Sequence, residues 1–279
     1  MAISLNGSAS MVNNVELKKS EFQFIREMVY EYCGINLQQG KEALVRGRLM
    51  KRLRALQLSS FKEYLEYLET DTSNQEFIKL IDILTTNKTS FFRENNHFNY
   101  INNHIIPAIG NKSAKWWSAG CSTGEEAITL AISLRESQTL NSNSQVKILA
   151  TDLSTEVLQI ARKGAYEESK LKDIPKQYLK KYFSKDKSES LYYIKNDVKD
   201  MITYGRLNLL DHWPMRGPFD LIMCRNVMIY FDKMTQGRLV ERFYNILAPG
   251  GFLFIGHSES ISNKSLGFRA VQPAAYQKI

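Results

Sequence analysis

The stretch Trp117-Ser-Ala-Gly120-Cys-Ser-Thr-Gly124-Glu125-Glu126 reads as a strand, a tight turn and a helix start. In a doubly wound sheet that junction lies beyond the carboxyl ends of the strands, where ligands bind. Gly120 would let the backbone approach a ligand closely, although a bare strand-to-helix turn accounts for two glycines equally. A second apolar run ends in Ala150-Thr151-Asp152. An acid there is placed to accept hydrogen bonds from a ribose diol; an Asp ahead of Leu153-Ser154-Thr155 could instead cap a helix. The full G-x-G-x-x-G pattern is missing. Two carboxylates at the helix start, Glu125 and Glu126, would repel a pyrophosphate. A cationic, phosphate-free cofactor carrying adenosine, S-adenosylmethionine, fits this turn better than a dinucleotide.

Such a turn needs a parallel sheet to hold it. Beyond Pro107, short apolar runs alternate with helical segments. Strands are expected at 115–119, 146–151, 219–224 and 251–256, and helices at 125–134, 155–163 and 235–247. This alternation predicts a mostly parallel sheet covered on both faces. Residues 180–206 break the rhythm. They are charged, contain the β-prone run Leu191-Tyr-Tyr-Ile194, and read as a small inserted β element.

Earlier in the chain the pattern is helical. Ser20 with Gln23 fits a capping box, Phe22, Ile25, Val29 and Tyr32 follow at helical spacing, and Gly34 suits a left-handed end. A second helix is expected at about 42–56. Ser60 with Glu63 opens a third, and Ser73 with Glu76 a fourth. The expected organisation is a polar tail over 1–14, read as disordered, an all-α domain over 15–86 and an α/β domain over 87–279 with a β subdomain at about 180–206.

Composition allows this build. The 279 residues, 43% hydrophobic and 24% charged, suit a globular chain with a sizeable core. No apolar run approaches the roughly 20 residues of a membrane helix, and the start lacks the basic and apolar segments of a signal peptide. Cys33, Cys121 and Cys224 show no metal-ligand spacing. A cytoplasmic protein with reduced thiols, no metal and no direct membrane insertion is expected. The net charge of +8 points to an acidic partner.

Four stretches taken together resemble one family: Thr85-Thr-Asn-Lys-Thr-Ser-Phe-Phe-Arg93-Glu94, Trp117 to Glu126, Cys224-Arg-Asn-Val-Met-Ile-Tyr-Phe-Asp232, and Gly256-His-Ser-Glu259. In this order and spacing they are similar to the chemotaxis receptor methyltransferases, the CheR family. The resemblance implies methyl transfer from S-adenosylmethionine to glutamate side chains of methyl-accepting chemotaxis receptors, with S-adenosylhomocysteine as the product. It implies a Rossmann-like catalytic domain with a small β insertion behind a helical domain. It places cofactor contacts on Asn87, Thr89, Arg93, Glu125, Asp152, Asn208, Leu209, Asn226 and Val227, beside the Gly120 turn. Nothing suggests an obligate dimer, and a monomer is expected.

Methylating a carboxylate needs little acid–base apparatus, because a glutamate with a reference pKa of about 4.3 is ionised near neutral pH. None of His97, His104, His212 and His257 is needed as a base. Arg93, through its planar fork, would bind the cofactor's carboxylate; it could instead pair with Glu94. Tyr230 would direct the incoming glutamate by its hydroxyl, or be a core residue. His257 and Glu259 follow a strand end, and their role stays open.

Between Ala43 and Lys62 there is no acidic residue, while Arg46, Arg48, Lys51, Arg52, Arg54 and Lys62 are basic. Val45, Leu49, Leu53 and Leu56 make one apolar stripe, leaving the basic residues on the remaining arc. This arc is either a solvated helix face or a docking surface for the acidic receptor bundle. Family members that hold a receptor's C-terminal peptide have a longer, glycine-containing loop than Ser184 to Ser190, so peptide tethering is not expected here.

A nucleic-acid methyltransferase would use the positive charge. The stretch Asn226-Val-Met-Ile-Tyr230 lacks the prolines such enzymes carry, and no aromatics interleave the basic helix to stack on bases. A non-catalytic signalling module would have lost Asp152, Arg93 or Asn226, and all three are present.

Overall fold

The structure, a computed structural model, describes residues 15–110, 112–138, 145–186, 188–261 and 266–279. The tail expected over 1–14 lies outside them. The chain divides into two units, Met1–Thr86 and Asn87–Ile279.

The first unit holds α1 (Lys19–Cys33), α2 (Glu42–Leu56), α3 (Phe61–Thr70) and α4 (Gln75–Leu84). Ile25, Val29, Leu49, Leu53, Leu80 and Ile81 are among its buried apolar side chains. Met50 is buried where the expected stripe had Leu56, which is half-exposed. The start of α1 differs from expectation. Lys18 is its N-cap, with the Lys18 N–H donating to Glu21 at 2.8 Å. Ser20 and Gln23 therefore lie inside the helix. Gly34 ends it at φ +72°, a conformation that only glycine adopts without strain. Ser60 caps α3, accepting from the Glu63 N–H at 3.2 Å. Ser73 and Glu76 form no such pair at α4. The Glu76 N–H donates to Asp71, and its carboxylate, 3% exposed, turns inward to Arg52.

In the second unit, α5 (Asn96–Tyr100), a π-helical turn (Ile101–Ile105) and α6 (Ile106–Ile109) precede β1 (Ala114–Ala119), α7 (Glu125–Glu136), β2 (Val146–Asp152), α8 (Thr155–Lys163) and β3 (Ala165–Glu167). Then come α9 (Lys176–Tyr182), β4 (Phe183–Asp186), β5 (Leu191–Ile194), α10 (Asn196–Lys199), β6 (Ile202–Arg206), β7 (Phe219–Cys224), α11 (Lys233–Ile246), β8 (Leu247–Ile255), β9 (Phe268–Gln272) and β10 (Ala275–Lys278). The main sheet has the order β6-β2-β1-β7-β8-β10-β9. It is parallel from β6 to β8, and β10 runs antiparallel to β8 and β9.

The adjacent tryptophans of β1 show why both faces are covered. Side chains alternate across a strand, and both rings are fully buried. Trp116 joins a core with Ile128 and Ala131 of α7. Trp117 joins the opposite core with Leu239 and Phe243 of α11. The strand order reverses between β1 and β7, which opens a crevice at their carboxyl ends.

The small sheet has the order β3-β5-β4 and is antiparallel. It spans 165–194 rather than the expected 180–206. Three-residue β3 is too short to show a period, and β6, inside the expected span, pairs with β2 of the main sheet. Residues Ser184–Asp186 of the expected loop belong to β4, and Ser188–Ser190 form a turn. There Asp186 accepts from the Ser188 N–H at 2.8 Å. No helix among the described residues is long and apolar enough to cross a membrane.

Candidate functional site

Leaving β1, the chain stays tied to β2: the N–H groups of Gly120 and Cys121 both donate to the Thr151 carbonyl, at 2.8 and 2.9 Å. Gly120 has φ +90°. A Cβ there would overlap Cγ2 of Val227. The close approach expected at Gly120 is thus made by the β7 loop, across the switch point. Gly124, at φ +96°, is the N-cap of α7.

Glu125 and Glu126, both in the first turn of α7, take different partners. Glu125 is fully buried and accepts from the Thr123 hydroxyl at 2.6 Å through Oε2, while Oε1 has no partner. Burial pushes its carboxyl above the usual range, against the Thr123 bond. Glu126 has partners of its own. It accepts from the Ser118 hydroxyl at 2.6 Å and from Arg225 Nη1 at 3.0 Å.

Asp152 ends β2 without capping α8; Ser154 is the cap, accepting from the Val157 N–H. The Asp152 carboxylate accepts from the N–H groups of Ser122, at 2.8 Å, and Ser154, at 3.0 Å. It therefore points across the Gly120 turn. Asn208 and Leu209, both buried, follow β6 alongside it, anchored by the Leu207 N–H on the Asp152 carbonyl. The Ser122 hydroxyl donates to the Asn87 carbonyl at 2.9 Å, which brings the segment of half-buried Thr89 to the same turn.

Asn226 and Val227 follow β7. Asn226 adopts φ +58°, its Oδ1 is buried without a partner, and its Nδ2 lies 3.4 Å from Glu94. Glu259, left open in the sequence, holds this loop: its carboxylate accepts from the N–H groups of Asn226, Gly256 and Ile229 at 3.0, 2.6 and 3.0 Å. A Cβ on Gly256 would meet Asn226 Nδ2 at 2.5 Å. Tyr230 closes a 3-10 turn (Met228–Tyr230) and is half-buried, neither core nor fully exposed.

Arg93 does not pair with Glu94. Its Nη1 donates to the Lys88 carbonyl at 2.7 Å. Glu94 is taken by Arg225, with Nε at 3.3 Å and Nη2 at 3.2 Å. Although burial opposes its charge, Arg225 holds the Glu94 carboxyl below the usual range. Sequence reasoning passed over Arg225. Its one signal is a lone base directly after the apolar strand Phe219–Cys224; its acidic partners lie 131 and 99 residues away. Glu94, His97 and His257 each place one possible metal-ligand atom within 4.8 Å of the others. The Glu94 oxygen facing both imidazoles already accepts from Arg225, whose charge opposes a cation there.

The basic helix is only partly a free surface. Arg46 donates to the Val15 carbonyl at 2.6 Å. Arg48 donates to the carbonyls of Ile83, Leu84 and Thr85, so it satisfies the carboxyl end of α4. Arg52 pairs with buried Glu76 at 2.6 Å. Lys51 and Arg54 are exposed.

Residues 87–276 match the family model "CheR methyltransferase, SAM binding domain", and residues 20–85 match "CheR methyltransferase, all-alpha domain". The chain is 41% identical over 275 residues to the chemotaxis protein methyltransferase of Borreliella burgdorferi, covering 95% of this chain and 96% of that one. It is 40% identical over 256 residues to that of Salmonella typhimurium, covering 91% and 88%. Against that of Escherichia coli it is 39% identical over 257 residues, covering 91% and 88%.

Proposed function

Because the chain belongs to the CheR methyltransferase family, we propose that it methylates glutamate side chains of chemotaxis receptors, forming methyl esters and S-adenosylhomocysteine. The observation that carries the site assignment is a pair of buried acceptors without donors, Glu125 Oε1 and Asn226 Oδ1. They follow β1 and β7, neighbours across the switch point. Buried acceptors left unpaired are costly, and S-adenosylmethionine brings the donors they lack, an ammonium group and an adenine amine. A cationic ligand also offsets the burial of the Glu125 charge. Asp152, oriented by two main-chain N–H groups, suits the ribose diol; Asn87, Thr89, Asn208, Leu209 and Val227 border the same turn.

Bound S-adenosylmethionine supplies a methyl group activated on a sulfonium. The glutamate acceptor is already ionised, so the protein's task is orientation and exclusion of water, worth on the order of 7–11 kcal/mol in well-aligned cases. Arg93 binds the cofactor's carboxylate, and the Tyr230 hydroxyl directs the acceptor. The test is transfer of labelled methyl to receptor-rich membranes, with nucleic acid as control. Labelled receptor that releases its label in mild base, as an ester does, is the expected result. Label on nucleic acid alone would refute the reading. Asp152→Ala and Asn226→Ala should each abolish cofactor binding.

Lys51 and Arg54 steer the acidic receptor bundle. Arg46, Arg48 and Arg52 support them from within the helical unit instead of forming the contact themselves. The short, glycine-free stretch Ser184 to Ser190 speaks against capture of a receptor tail peptide, and titration with such a peptide decides it. Three free, buried cysteines suit a reducing compartment, in keeping with a cytoplasmic enzyme. We take it to be a monomer, which sedimentation tests.

A further inference from the structure

Arg93 is flanked by two residues in the left-handed region, Phe92 at φ +54° and Glu94 at φ +55°. Neither is glycine, and a bulky residue there persists only where its surroundings over-determine it. Several contacts do so. The Phe92 N–H donates to the Thr129 hydroxyl of α7 at 3.3 Å, and the Phe92 ring stacks on Tyr178. Glu94 also accepts from the His257 N–H at 3.3 Å, and the largest set of contacts on the segment comes from Arg225. Its Nη2 donates to the Arg93 carbonyl and to Glu94, its Nε donates to Glu94, and its Nη1 reaches Glu126 of α7 at 3.0 Å. The guanidinium is almost fully buried and lies over the Phe98 ring.

We infer that Arg225 is the positioning residue for Arg93: one planar fork grips the carbonyl of Arg93 and the carboxylate that follows it, and ties both to the first turn of α7. Its sequence neighbour Asn226 carries one of the unpartnered acceptors, and Glu94 lies within reach of that residue's Nδ2. The fork therefore sets the Arg93 segment against both cofactor-facing loops, after β1 and after β7. A lysine keeps the charge but cannot direct rigidly spaced donors to three acceptors at once. This inference rests on the reading of Arg93 as a cofactor-binding residue.

The test is a double-mutant cycle in receptor methylation, using Arg225→Lys in the wild-type and Arg93→Ala backgrounds. With Arg93 present, Arg225→Lys should lower turnover about tenfold or more. With Arg93 absent, the same change should cost less than about twofold, because its effect passes through Arg93. Equal losses in both backgrounds, or no loss in the first, would overturn the inference. A merely structural role gives equal losses. Should Arg225→Lys fail to fold, Glu94→Gln carries the same cycle, since it weakens the same grip without removing the buried cation. If the wild-type enzyme methylates no receptor, the proposed function fails. If Arg93→Ala leaves cofactor affinity and turnover unchanged, the role of Arg93 fails. Either result is distinct from an additive cycle.

Discussion

The carboxylate of Glu259 accepts the main-chain N–H of Asn226 at 3.0 Å, so a residue beyond β8 holds the loop that follows β7. The same carboxylate takes Gly256 and Ile229. Glu259→Ala leaves these N–H groups without their acceptor, which costs about 1–3 kcal/mol for each one that stays dry. A lower midpoint in urea and a weaker Kd for S-adenosylmethionine should appear together. Unchanged cofactor affinity would show that the loop holds itself.

Gly120→Ala adds a Cβ at φ +90° against Val227. The backbone strain alone costs about 1–2 kcal/mol, and overlap adds to it. Val227→Ala in the same chain should recover part of the loss in melting temperature, because it removes the overlapping methyl but not the strain. No recovery would mean the turn fails for its backbone alone.

Arg52→Ala strands Glu76 in the interior of the helical unit. Breaking a buried pair from one side costs roughly 3–5 kcal/mol. Adding Glu76→Gln should restore much of this, since the Tyr64 hydroxyl, 3.1 Å away, can still donate to an amide oxygen. Denaturant titration of the single and double variants reads both effects.

Lys51→Glu combined with Arg54→Glu should raise the KM for receptor several-fold at low salt. The effect should shrink as salt screens it, while the Kd for S-adenosylmethionine stays put. A KM insensitive to both changes would remove this face from the receptor contact.

His97 is fully buried. Burial, aided by the Arg225 charge, pushes its imidazole down to about 4 from the ordinary 6.5. Below pH 6.5 the unfolded chain binds a proton that the folded chain refuses. This share of stability is therefore whole above pH 6.5 and is lost as pH falls toward about 4, by on the order of 3 kcal/mol in all. His97→Phe, which keeps a ring against Phe254, should flatten that acid limb in urea titrations. Equal slopes in the two proteins between pH 6.5 and 4.5 would contradict the assignment.

Local signals carried most of the elements. The apolar runs at 219–224 and 146–151, the helical spacing from Phe22 to Tyr32 and the stop at Gly34 are statements about neighbours in the chain, and they stand in the structure. The residue types of the turn proposed to take the cofactor, Gly120, Glu125 and Asp152, were legible for the same reason. A strand end, a turn and a helix start lie within a few residues of one another. Local spacing could not say where side chains turn. Arg48 and Arg52 share the charge of Lys51 and Arg54, but the carboxyl end of α4 and buried Glu76 draw them inward. Glu125 and Glu126 are adjacent, but successive helical residues point about 100° apart, and only the second meets Arg225. What the sequence by itself determined is the family, the chemistry and the order of the elements, because these reside in residue types and short-range periods. What only the tertiary structure decided is the set of partners at the site, Arg225 with Glu94 and Glu259 with Asn226. Glu259 and Asn226 follow the neighbouring strands β8 and β7, and Glu94 reaches Arg225 from the turn ahead of α5, juxtapositions that exist only once the chain is folded.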